Sequence, residues 1–68
     1  MAVTAENRLT TLHRLIGEAE ERCVEQVRLI GALVMAEEPV GHAIDGLEEI
    51  EDLLVRMRAE RAAEQRGS

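Results

Sequence analysis

Val27-Arg28-Leu29-Ile30-Gly31-Ala32-Leu33-Val34-Met35-Ala36-Glu37-Glu38-Pro39-Val40 is the stretch that decides the fold. Its first ten residues carry a single charge, Arg28, and then the chain meets two acids and its one proline. Pro39 lacks a backbone donor and disfavours the α region for the residue before it, so a helix arriving from the N-terminal side must end near Glu37. Pro is also at home where a new helix begins, which places the next helix start between Pro39 and His42.

Upstream of the break the apolar residues repeat as a heptad. Leu9, Ile16, Cys23 and Ile30 take one position, and Leu12, Ala19, Gln26 and Leu33 the other. The alternating steps of three and four residues are those of a coiled-coil seam. Gln26 is the polar break in it; Val27 stands beside it and is expected to rotate inward in its place. Downstream, Val40, Leu47 and Leu54 alternate with Ala43, Ile50 and Met57, and Ile44 and Leu53 widen the stripe.

Two periodic segments and a short link imply an all-α antiparallel two-helix hairpin. Helix 1 is expected over about residues 4–36, the turn at about 37–40 and helix 2 over about 40–64, lengths of roughly 45–50 and 35–40 Å at the helical rise. Thr4 suits the N-cap, with Glu6 in the first turn where the helix dipole favours an acid. After Met57 the seam positions fall to Arg61 and Glu64, so helix 2 is expected to fray there and residues 65–68 to form a mobile tail.

The chain has 68 residues and allows one domain, residues 1–68. A chain this short buries only about 60% of its unfolded surface and needs a staple, a metal or a partner. Its single cysteine, Cys23, excludes an intramolecular disulfide, and no CxxC or Cys/His cluster offers zinc ligands. No cofactor is implied. Residues 27–36 are apolar on nearly every side, and a helix of that kind is surrounded by protein. One neighbouring helix cannot cover the circumference, so the expectation is a homo-oligomer: two hairpins forming a four-helix bundle, a dimer before anything larger. The expected interface is Leu9, Leu12, Ile16, Ala19, Cys23, Val27, Ile30, Leu33, Val34, Ile44, Leu47, Ile50, Leu54 and Met57. Gly17 and Gly31 lie two heptads apart on one side of helix 1, either for close approach of a neighbour or as tolerated accidents.

The net charge is -6, and all eight basic residues are Arg. The acidic balance and the absence of aromatic residues argue against a nucleic-acid partner, which needs a basic face or a stacking platform. Absence of Lys fits a GC-rich bacterial genome. The first residues resemble neither a signal nor a transit peptide. The longest strongly apolar stretch falls far short of the roughly 20 residues of a membrane span. A cytoplasmic protein without a membrane partner is expected. On helix 2 the acids Asp45, Glu48, Glu49, Glu51 and Asp52 precede Arg56, Arg58, Arg61 and Arg66, the order that suits the helix dipole. Asp52 and Arg56 stand at i,i+4.

His13 is the candidate phosphoacceptor. His13-Arg14-Leu15-Ile16-Gly17-Glu18-Ala19 resembles the phosphoacceptor segment of histidine phosphotransfer domains, with His13, Leu15, Gly17 and Ala19 in place and Ile16 where that family has Lys. The resemblance implies an exposed, phosphorylatable imidazole with room beside it for a receiver domain. Histidine-kinase dimerisation domains are also paired hairpins of this size, but their acidic residue after the His and their following Pro are here Arg14 and Glu18.

Glu38 and His42 are four apart with Pro39 between them, which breaks the geometry of a helical metal pair. No Glu-x-x-His occurs. No nucleophile–base set or phosphate loop is present, so an enzyme is not expected.

In architecture the expected dimer resembles the plasmid Rop-type RNA-binding dimers. Residues 21–30 together with Leu47-Glu48-Glu49-Ile50-Glu51-Asp52-Leu53-Leu54 and an Arg-rich end are similar to short bacterial helical-hairpin proteins of uncharacterised function. That resemblance implies a coiled-coil hairpin and no activity. The expected role is a non-enzymatic interaction or regulatory module, with an unidentified protein partner on its charged face. Phosphotransfer through His13 and RNA binding of the Rop kind are the alternatives.

Overall fold

The computed structural model describes residues 5–67, with side chains from Asn7. Helix α1 runs Ala5–Met35 and helix α2 runs Gly41–Gly67. The two pack along their length as an all-α hairpin, 51 × 16 × 16 Å. Thr4, the expected N-cap, and Ser68 lie outside the described residues.

The seam follows the heptad. Ile16 and Ala19 on α1 meet Leu54 and Met57 on α2 in a buried cluster, with Leu12, Cys23 and Ile50 packed around it. Leu9, Ile30, Leu33, Val40 and Leu47 are half-buried and Ala43 is buried. No described side chain is fully enclosed. The best-packed part of the hairpin is therefore away from the turn, although the most apolar sequence is next to it.

α1 ends in a Schellman motif. The Glu38 N–H donates to the Leu33 carbonyl (2.9 Å) and the Glu37 N–H to the Val34 carbonyl (3.1 Å), which satisfies two carbonyls the helix would otherwise leave open. The residue in the left-handed position is Glu37, at φ 58°. That site normally holds Gly, because a Cβ there crowds the backbone. Pro39 then prevents the helix from resuming, and α2 opens with the Ile44 N–H donating to the Val40 carbonyl at 2.9 Å. Val40 is thus the N-cap, a residue with no side-chain acceptor to offer the first turn.

Three expectations need correcting. Val27 does not turn inward: it is 56% exposed, and Gln26 keeps the half-buried seam position. Rotating α1 to bury Val27 would carry Ile30 and Leu33 out of the seam, whereas the Gln26 amide finds a partner across it. α2 extends to Gly67, past the expected end at about residue 64. Arg61 and Glu64 occupy the last seam positions, both half-buried. The Asp52–Arg56 pair is not among the ion pairs of the described residues; the i,i+4 pair is Arg14–Glu18 on α1, at 3.0 Å.

Candidate functional site

The features with functional content are the two flanks of the hairpin, where the covered seam meets the open helix faces. Each flank carries a shallow groove. Glu20, Cys23, Glu51, Leu54, Val55 and Arg58 line one. Leu15, Glu18, Arg22, Glu25, Leu53 and Met57 are among those lining the other. The two flanks differ in chemistry.

On the flank with Glu20, α1 presents Gly17, Glu20, Val24, Val27, Gly31 and Val34, since steps of three and four residues keep these on one side of a helix. Val24, Val27 and Val34 are 51%, 56% and 60% exposed, and Val55 across the groove is 65% exposed. A Cβ added at Gly17 or Gly31 would meet nothing within 4 Å. The hairpin itself therefore has no need of glycine at either position, although each costs about 1 kcal/mol of helix propensity against Ala. The single charge in this set, Glu20, accepts from Arg58 at 3.0 Å.

The opposite flank is mixed. Leu15 and Leu29 are exposed there, but Glu18, Arg22 and Glu25 stand between them. Met35, beyond the end of both grooves, is 87% exposed.

Of the expected interface residues, Ile16, Ala19, Leu54 and Met57 form the buried cluster and Leu9, Leu12, Cys23, Ile30, Leu33, Leu47 and Ile50 are half-buried around the intrachain seam. Val27, Val34 and Ile44 lie outside it, exposed. His13 is exposed on α1 one turn before Gly17. Glu38 lies in the turn and His42 in the first turn of α2, both exposed. Among the described residues no three His, Cys, Asp or Glu side chains come together as a metal site, and no helix is long and apolar enough to cross a membrane.

Sequence reading missed two residues. Gly46 belongs to no motif legible in the sequence, yet a Cβ there would sit 3.0 Å from Gln26 Nε2. Glu64, near the C-terminal end of α2, accepts from Arg8 at 2.8 Å. Its position in heptad phase with Met57 was the available signal.

Compared with protein-family models, with curated proteins and with solved structures, this chain matches none.

Proposed function

We propose that this chain is a self-associating helical hairpin that serves as a non-enzymatic oligomeric interaction or regulatory module, the assembly being a dimer that forms a four-helix bundle. One observation carries the reading. The most apolar part of the chain, next to the turn, leaves Val27, Leu29, Val34, Met35 and Ile44 exposed in the single hairpin. Apolar side chains that cluster on one end of a small protein mark an association surface rather than ordinary scatter. The small core supports the same reading, because five buried residues and their half-buried neighbours are little to hold a chain of this length folded alone.

Folding and association are then coupled, and stability depends on protein concentration. Sedimentation equilibrium combined with circular dichroism, over a hundredfold range of concentration, tests this. A helical dimer whose melting temperature rises with concentration is expected. A chain that is monomeric at every concentration defeats the proposal. Ile30→Asp is expected to abolish both association and helicity, and Glu49→Ala to leave both intact; helicity that survives Ile30→Asp contradicts the coupling.

A further inference from the structure

α1 carries two seams, and α2 fills only one. The open set Gly17, Glu20, Val24, Val27, Gly31 and Val34 alternates in steps of three and four residues, as the filled seam does. We propose that this second seam seats α1 of a second copy, running antiparallel, about a two-fold axis between Val24 and Val27. The inference rests on the self-association proposed above and adds its surface and direction.

Size complementarity points to a second copy of α1 as the occupant. With Val24 of one copy level with Val27 of the other, Gly17 falls level with Val34 of the second copy, and Gly31 with its Glu20. Each glycine faces a large side chain, the alternation that lets two helices interdigitate. This gives the glycines a role that the hairpin does not, since neither position meets any atom within 4 Å in the single chain.

Charge points the same way. Glu21 and Arg28 directly follow the seam positions Glu20 and Val27, toward the outward face of α1, where Glu21 also borders the opposite groove. The antiparallel arrangement places Glu21 within about 3 Å, along the axis, of the level of Arg28 of the second copy. A parallel arrangement in register sets Glu20, Glu21 and Arg28 each against its own like charge, which is unfavourable. α2 is a poorer mate for the seam. Its own face on this flank puts Glu48 and Glu51 between Ile44 and Val55, followed by Arg58.

Two measurements test the seam. The first is the distance between nitroxide labels in the Cys23→Ala/Met35→Cys chain by double electron–electron resonance. Met35 lies 19 positions from the level of its mate in the antiparallel pair, so an intermolecular distance of about 30 Å is expected. A distance under about 20 Å, as parallel neighbours would give, overturns the direction. The second is Gly31→Leu. It adds a side chain where the hairpin has open space and removes a poor helix former, so monomer helicity should rise while the dimer Kd weakens at least tenfold. An unchanged or tighter Kd overturns the seam. In either case a chain that still dimerises leaves self-association standing, whereas a wild-type monomer at all concentrations removes both proposals.

Discussion

Gln26 on α1 and Ala43 on α2 are joined across the seam: the Gln26 side-chain Nε2 donates to the Ala43 backbone carbonyl at 2.8 Å. Gly46, one turn further along α2, leaves the space in which that amide lies, 3.0 Å from where a Cβ would stand. A polar side chain in an apolar seam is commonly a device that sets register, at some cost in stability. Here it locks the end of the hairpin nearest the turn, where few apolar side chains are buried to do so.

Gln26 and Gly46 are therefore coupled. Gly46→Ala on its own should change stability by less than about 0.5 kcal/mol. The gain of about 1 kcal/mol in helix propensity is offset by the displaced amide and its hydrogen bond, worth roughly 0.5–1.5 kcal/mol. Made in a Gln26→Ala background, the same change should stabilise by about 1 kcal/mol. A double-mutant cycle by urea unfolding, at one protein concentration, measures the difference; additive effects would contradict the coupling.

Glu37 holds a left-handed conformation that costs a non-glycine residue roughly 1–2 kcal/mol. Glu37→Gly should stabilise the hairpin by about 1 kcal/mol once the greater flexibility of unfolded glycine is set against that gain. Glu37→Ala should change little, since it keeps the Cβ. The melting temperatures of the two variants decide the point.

Leu53 and Leu54 are neighbours in sequence with opposite surroundings, 41% and 5% exposed. Leu54→Ala should cost about 2–5 kcal/mol, as expected for a truncated core leucine, and largely unfold so small a chain. Leu53→Ala should cost less than about 1 kcal/mol as a partly exposed side chain. Similar losses for the two would mean that the flank holding Leu53 is covered in the assembled protein, a result that circular dichroism at several concentrations distinguishes.

The last turns of α2 carry the Arg8–Glu64 ion pair and no buried apolar side chain. The Arg8 side chain is 64% exposed and that of Glu64 24%. Glu64→Ala should therefore cost no more than about 1 kcal/mol, and less at high salt. Amide exchange should quicken in residues 58–67 and not around Ile16 or Leu54. Faster exchange throughout would show that the pair supports the whole hairpin.

Much of this was legible along the chain. The heptad of Leu9 to Leu33 and that of Val40 to Met57 determined the two helices and the faces they turn to each other, because helical periodicity and apolar burial are local, one-dimensional signals. Pro39 determined where the first helix stops, since a missing donor and a crowded neighbour act whatever surrounds them. Tertiary structure decided the rest. Whether Gln26 or Val27 faces inward depended on a carbonyl and a glycine found on the other helix, 17 and 20 positions away. Near the end of α2, Glu64 meets Arg8, 56 positions away. Glu20 is held by Arg58, 38 positions distant. Each of these turns on the register in which the helices meet, and register is a relation between two segments that neither one encodes alone.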